Sequence, residues 1–243
     1  MADPPKRVLS YGGGVQTFAM LAMIANGDLE RPDLVIMADT GSEMQATYRH
    51  VEEVAKPLAR SAGLEWADVC SPNGPLHEFT KWGACPIPCY GCRGGMAFRI
   101  CTERWKIRPI NTWLRLNGMR PAEVWLGISL DEAHRMKDSA DKWKTHRWPL
   151  VEKRMTRQDC IAYPERHGLA VPGKSACFMC PLRRMSEWTK MREQEPEEFE
   201  RAALVEDSLN GMFLTPTRKP IREAVGRQHG MFQDDECGGY CWT

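Results

Sequence analysis

The sequence predicts an α/β fold: a Rossmann-like parallel sheet flanked by helices, followed by a helical, cysteine-bearing C-terminal extension. Three observations carry this. Short apolar runs alternate with segments of helical period, the pattern of strand–helix–strand units. The runs are apolar without polar alternation, as in strands buried on both faces. The first run also feeds directly into Gly12-Gly13-Gly14 and then a helix. We place the α/β domain at residues 1–175 and the extension at 176–243, where a C-x-x-C and a terminal C-x₃-C fall.

The elements follow in order. Arg7–Ser10 is the first strand. Val15–Asn26 is helical, with Val15, Phe18, Ala19, Ala22 and Ile24 on a helical period. Asp33–Ala38 is a second strand, Glu43–Ala62 a helix, and Glu65–Val69 a third strand. Residues 71–100, rich in Gly, Pro and Cys, read as a loop. Arg104–Asn117 is helical with a break at Pro109, and Glu123–Ile128 is a further buried strand. Thr156–His167 opens on an N-cap residue. Pro181–Gln194 and Pro196–Leu209 are helices opened by proline.

Composition narrows the function. The 243 residues carry 33 Lys+Arg against 32 Asp+Glu, a net charge of +1, with 42% hydrophobic and 27% charged residues. That balance argues against bulk electrostatic binding to nucleic acid. The longest apolar run, Phe18–Ala25, is far shorter than the ~20 residues of a membrane span. No apolar leader opens the chain, so a cytoplasmic location and no membrane partner are expected. Ten cysteines in such a chain point to metal binding or catalysis rather than disulfides.

A strand, three glycines and a helix form a phosphate-binding arrangement, because glycines let backbone N–H groups approach an anion beside a helix N-terminus. Neither the Walker A loop nor G-x-G-x-x-G fits. Ser10-Tyr11-Gly12-Gly13-Gly14-Val15-Gln16-Thr17 resembles the PP-loop of N-type ATP pyrophosphatases, S-x-S-G-G-x-D-S. Asp39-Thr40-Gly41 follows the second strand, where sulfonucleotide reductases carry D-T-G. Gly127-Ile128-Ser129-Leu130-Asp131-Glu132-Ala133-His134-Arg135 resembles their G-I-R-x-x-E-S-x-x-R segment. Trp148-Pro149-Leu150 and Thr156 to Tyr163 resemble a later stretch, with Asp159 and Tyr163 matching and Met155 where Trp is usual. Order and spacing together resemble the phosphoadenosine phosphosulfate (PAPS) reductase family in its broad sense, within the adenine nucleotide α-hydrolase superfamily.

The resemblance implies an adenine nucleotide, ATP or an adenylyl sulfate, bound at the C-terminal ends of the strands. Gly12 to Thr17, with Ser10 and Tyr11, would hold phosphates or sulfate. Asp39, Thr40 and Gly41 would lie near the ribose or a metal ion, with Mg²⁺ a candidate. Gly127 and Ile128 would line the pocket, and Arg135 would neutralise anionic oxygen, with Asp39 and Arg135 in catalytic roles. Gln16 replaces the loop Asp and Gly12 the first loop Ser. A Gln carbonyl is a poorer ligand than carboxylate for a hard divalent ion.

The cysteines extend the likeness. Cys177-Phe178-Met179-Cys180 precedes a helix, and Cys101 to Pro109 resembles the C-C-x-x-x-K-x-x-P region of adenylyl sulfate (APS) reductases. Lys106 and Pro109 match, and Thr102 replaces the second Cys. In that family these segments ligate a 4Fe–4S cluster, which implies Cys101, Cys177 and Cys180 as metal ligands. Cys237, paired with Cys241, is the first choice for the fourth. Zinc is the rival metal, and a metal-free redox pair a third reading. Glu236-Cys237-Gly238 also matches the E-C-G-x-H tail of sulfonucleotide reductases, without the His, which would instead make Cys237 a nucleophile. Cys85-x₃-Cys89-x₂-Cys92 has radical S-adenosylmethionine spacing but lacks the expected aromatic at Gly91.

Two basic stretches complete the inventory. Residues 134–157 carry eight Lys/Arg against three Asp/Glu, with Trp143 and Trp148 among them. Arg93, Arg99, Arg104, Lys106 and Arg108 surround Cys101. We read them as a nucleotide pocket plus a solvated face, with nucleic acid or a sulfur-donor protein as the alternative partner. The expected function is activation of an acceptor at the ATP α-phosphate for iron–sulfur-supported thiolation or phosphorothioation. Sulfonucleotide reduction through Cys237 and a non-catalytic nucleotide-binding subunit are the alternatives.

Overall fold

The computed structural model describes residues 4–71, 74–76 and 87–226. Strands β1 (Lys6–Tyr11), β2 (Leu34–Asp39) and β3 (Trp66–Cys70) join β5 (Ala122–Trp125) and β6 (Lys144–Arg147) in one parallel sheet, ordered β3-β2-β1-β5-β6. β4 (Tyr90–Gly91) and β7 (Met212–Phe213) pair antiparallel in a separate ribbon. The strand order reverses between β1 and β5. Open α/β sheets take ligands in the crevice at the carboxyl ends of such a pair.

Both faces of the sheet are covered, which is why its strands read as continuous apolar runs. Side chains alternate along each strand. Leu9, Tyr11, Val35, Met37 and Trp125 join a core with helix α1 (Val15–Ala25) and the helix at Arg157–Arg166. Val8, Leu34, Ile36, Ala38 and Val124 belong to the opposite core, with Ile110 and Leu114 from the helix at Arg108–Leu116.

Prolines shape two helices. The segment expected at Glu43–Ala62 runs as α2 (Gln45–His50), a π-helical turn (Val51–Ala55) and α3 (Lys56–Ser61). A second π-turn (Glu103–Ile107) precedes α4 (Arg108–Leu116). Each wide turn comes just before a proline, Pro57 or Pro109. Proline lacks an N–H and its ring crowds the carbonyl four residues back. The wider turn accommodates both, so the break expected at Pro109 is a local widening.

After β6 come α5 (Pro149–Glu152) and α6 (Arg157–Arg166). Thr156 caps α6 as expected: its hydroxyl accepts from the Asp159 N–H at 3.2 Å, and the Asp159 carboxylate accepts from the Thr156 N–H at 2.8 Å. Thr156→Ala is expected to lower stability by about 1 kcal/mol. A chemical-denaturation midpoint checks this, and an unchanged midpoint would show that α6 does not depend on its cap.

Three further elements depart from the sequence reading. β6 falls inside the basic stretch and was not anticipated; as an edge strand its polar KTHR sequence is compatible with sheet pairing. A 3₁₀ segment occupies Leu130–Arg135. Helix α7 covers Met185–Gln194 rather than starting at Pro181, because a turn closes after Cys180, with the Arg183 N–H on the Cys180 carbonyl at 3.2 Å.

With α8 (Pro196–Asp207) and α9 (Ile221–Ala224), α7 builds a satellite core from Trp188, Met191, Phe199, Ala202 and Ile221. Met44, Ile87 and Trp105 share that core, so residues on both sides of position 175 contribute to it. Among the described residues no helix is long and apolar enough to cross a membrane.

Candidate functional site

A cavity of about 380 Å³ opens at the β1/β5 switch point. Ser10, Tyr11, Gly12, Gly14, Gln16 and Thr17 line one wall, and Gly127, Ile128 and Arg135 another. These are nine of the residues expected from the sequence. Gly13 sits behind them with φ +72°, and a Cβ there would lie 2.8 Å from Thr47 Cγ2. Glycine is therefore required for the turn itself.

The loop is held in place by its own bonds. Thr17 Oγ1 accepts from the Gly12 N–H at 3.3 Å and donates to the Gly14 carbonyl at 3.1 Å. Gly14 caps α1 with no side-chain bond. The first N–H groups of a helix lack intrahelical partners and carry the positive end of its dipole. At Gly127, a Cβ would lie 2.6 Å from Thr17 Cγ2 and 3.1 Å from its backbone N. The two loops therefore touch through a position that only glycine fits.

Arg135 is the electrostatic centre. It is 8% exposed, and its Nη1 pairs with Glu132 Oε2 at 2.5 Å. Its Nε and Nη2 are buried without hydrogen-bond partners among the described residues. Leaving buried donors unpaired costs about 1–3 kcal/mol, more on a charged group. A ligand oxygen in the cavity would satisfy them. Gln16, where the loop Asp was expected, has its amide engaged: Nε2 donates to Glu132 at 3.1 Å and to Ser129 at 3.4 Å, while Oε1 accepts from Arg157 at 3.3 Å.

Sequence reasoning missed part of the wall. Lys144 and His146 come from β6, two residues apart and so on one face of the strand. The Lys144 ammonium donates to Asn111 at 2.8 Å and pairs with Asp141 at 3.2 Å. Burial, partly opposed by the bond to the Lys137 carbonyl, lowers the His146 pKa, which favours a neutral ring. Thr102, Lys106, Ile107 and Asn111 enter from the helix before β5, and Ser175 from the loop before Cys177. The alternation of Lys144 and His146 with Thr145 and Arg147 was the one signal available for β6.

Asp39, Thr40 and Gly41 lie at the tip of β2, outside the cavity lining. Asp39 Oδ1 accepts from the Tyr48 hydroxyl at 2.6 Å and the Gly41 N–H at 2.8 Å. Burial and this carboxylate raise the Tyr48 pKa. Thr40 instead meets the cysteines, with its hydroxyl 3.7 Å from Cys177 Sγ. Residues 42–44 run beside 177–178: Glu43 bridges to Cys177, and the Phe178 N–H bonds the Ser42 carbonyl at 2.9 Å.

Lys106 joins the two regions. It lines the cavity, pairs with buried Glu43 at 2.8 Å, and feels the charges of Cys177 and Cys101. Burial alone would lower its pKa; Glu43 and the two sulfurs outweigh that and raise it. Burial raises the Cys177 pKa, with Glu43 acting in the same direction and Lys106 against it. Cys180 lies within electrostatic range of Cys177.

Lys106 is thus within electrostatic range of Cys101 and Cys177, and Cys177 of Cys180; thiolates of this kind are soft donors for cluster iron or zinc. Among the described residues, however, no group of three or more His, Cys, Asp or Glu side chains is arranged to hold a metal. The described cysteines do not complete a metal site by themselves. Cys237 and Cys241 lie outside the described residues, as does Cys85. Cys89 is buried in a disulfide, against the expectation of reduced thiols, and Cys92 is exposed. A disulfide sulfur is not the thiolate that a radical-enzyme cluster would need from Cys89.

No family model matches the chain, and no curated protein matches it. Among solved structures the chain is similar to phosphoadenylyl-sulfate (PAPS) reductase from Candida auris in a phosphate complex. That pair is 13% identical with a TM-score of 0.46, over 70% of this chain and 76% of that one. It is also similar to the U34-tRNA thiolase NcsA from Methanococcus maripaludis with its 4Fe–4S cluster. There the identity is 14% and the TM-score 0.49, over 86% of this chain and 72% of that one. These likenesses concern the fold.

Proposed function

We propose that the chain is an enzyme that binds ATP in the switch-point cavity and activates an acceptor at the α-phosphate for sulfur transfer. The observation that carries the reading is Arg135: a buried guanidinium with two nitrogens unpartnered among the described residues, beside a glycine turn and a helix N-terminus that has no side-chain cap. Fixed donors aimed at anionic oxygen are what phosphate recognition requires. In the proposed step, an acceptor oxygen attacks the α-phosphorus, the bond to the bridging oxygen breaks, and pyrophosphate leaves. A sulfur donor then displaces AMP from the acceptor. The acceptor is a nucleic acid, following the family resemblance.

In this reading Gly12 to Thr17 hold phosphate, Gly127 and Ile128 border the nucleotide, and Arg135 neutralises its charge. Asp39, through Tyr48 and Gly41, fixes the tip of β2. Titration calorimetry with ATP, APS, PAPS and adenosine tests the binding claim. Phosphorylated ligands should bind well and adenosine at least tenfold more weakly; equal binding of adenosine would remove the anion site.

The resemblance further assigns a 4Fe–4S cluster to Cys101, Cys177 and Cys180, and Cys237, paired with Cys241, is our choice of fourth ligand. Protein prepared without oxygen is then expected to be brown, with about four irons per chain. Cys177→Ala, Cys180→Ala and Cys237→Ser should each reduce the iron content. Colourless protein with stoichiometric zinc would replace the cluster by a structural zinc site.

One observation favours the second reading, sulfonucleotide reduction with Cys237 as nucleophile. Gln16 replaces the loop carboxylate and its amide is already engaged, which weakens any hold on the Mg²⁺ that normally accompanies ATP.

A further inference from the structure

We infer that the segment 92–108, beside the cavity mouth, is a docking arm for a single-stranded nucleic acid. The inference rests on the proposed nucleic-acid acceptor and adds the surface that would receive it.

The first observation is an exposed apolar stripe. Met96, Phe98 and Ile100 are 48%, 92% and 41% exposed. The intervening Ala97 and Arg99 are less exposed. This period of two points all three apolar side chains to solvent. Contiguous apolar side chains presented to water mark interaction sites. The second observation is charge. Five cations lie in the same stretch; Lys106 is paired with Glu43 and Arg108 with Glu103, which leaves Arg93, Arg99 and Arg104 as the excess positive charge. An aromatic platform flanked by arginines suits stacked bases and a tracked phosphate backbone. An apolar protein partner would gain little from such an excess of cations.

The arm is also fixed and correctly placed. The Ala97 N–H bonds the Cys89 carbonyl at 2.8 Å, and Met96 bridges to Tyr90. Arg99 Nη2 donates to Thr102 Oγ1 at 3.0 Å, and Thr102 lines the cavity. The Arg99 Nε is buried with no hydrogen-bond partner among the described residues. The stripe ends at Ile100, two residues before Thr102, which lines the cavity with Lys106 and Ile107.

The test measures fluorescence anisotropy of the full chain with an unstructured 12-nucleotide RNA, the same sequence as DNA, and its duplex. The single strands should bind more tightly than the duplex. Phe98→Ala should weaken single-strand binding about 5- to 100-fold, the range of one lost base–aromatic stack. Arg93→Ala should flatten the salt dependence by about 0.7 in log–log slope. ATP binding, measured by calorimetry on the same variants, should be unchanged. Preference for RNA or for DNA would support the arm equally and identify the acceptor.

Unchanged single-strand binding in Phe98→Ala would overturn the inference, as would equal affinity for the duplex. So would a Phe98→Ala variant that dissociates a dimer, since a second copy would then cover the stripe. A wild-type protein that binds ATP but no strand would sink the arm alone. One that binds strands through Phe98 but no nucleotide would sink the proposed activity alone.

Discussion

Arg135→Ala is expected to weaken ATP binding by roughly 100-fold or more. The two nitrogens of Arg135 that are unpartnered among the described residues would each make a charge-assisted bond to ligand oxygen, and such bonds contribute about 1.5–3 kcal/mol. Two of them, at 1.4 kcal/mol per tenfold, give a loss of at least two orders of magnitude. The variant also leaves Glu132 without its guanidinium partner, although Gln16 still donates to that carboxylate. Arg135→Lys separates the two effects. It keeps a positive charge near Glu132 but loses the planar fork. Its affinity should fall between wild type and Arg135→Ala, with near-normal thermal stability. If Arg135→Ala binds ATP, APS and PAPS as wild type does, the cavity is not the anion site.

Gly127→Ala is expected to cost more than ten-fold in nucleotide affinity through a single methyl group. Its Cβ would meet Thr17 Cγ2 at 2.6 Å and the Thr17 backbone N at 3.1 Å. The side chain can shift, but the backbone belongs to the first turn of α1 and resists. Overpacking of this kind costs about 1–3 kcal/mol and moves the phosphate loop relative to the β5 loop. The effect is steric, because Gly127 needs no left-handed backbone. Thr17→Ser removes the nearest methyl, so the Thr17→Ser/Gly127→Ala double variant should recover part of the affinity. A double variant as weak as Gly127→Ala would show that Thr17 Cγ2 is not the obstacle. By contrast, Gly13 combines a positive φ with a 2.8 Å approach to Thr47, so a substitution there tests the turn more than the ligand.

The sheet was legible because both of its faces are covered. Val8 and Leu9 enter opposite cores, as do Ile36 and Met37, so burial itself wrote the apolar runs. The glycine turn was legible because its chemistry is local. β6 was not, because an edge strand needs no apolar pattern and its charges resemble an exposed face. Arg147 illustrates the point: it packs over the Trp125 ring at 5.1 Å while pairing with Glu30 and Glu152.

The cavity wall from Thr102 to Asn111 was only half legible. Motif spacing singled out Lys106, but its partner Glu43 is 63 residues away and was visible only in three dimensions. The π-turn before Pro109 helps set which side chains of this helix face the cavity, and no short-range pattern announces it. Ser175 sits so close to Gly14 that a Cβ there would lie 3.0 Å from its Oγ, a proximity that sequence separation hides.

The central claim is cleavage of ATP at the α-phosphate, and its most direct measurement is a product assay. Anaerobic protein is incubated separately with ATP, APS and PAPS, each with a single-stranded nucleic acid and a sulfide donor, and pyrophosphate, AMP and sulfite are quantified. The account predicts pyrophosphate and AMP from ATP, dependent on the strand and abolished by Arg135→Ala, with no sulfite from APS or PAPS. Sulfite release from APS or PAPS that Cys237→Ser abolishes, with no pyrophosphate from ATP, would contradict it.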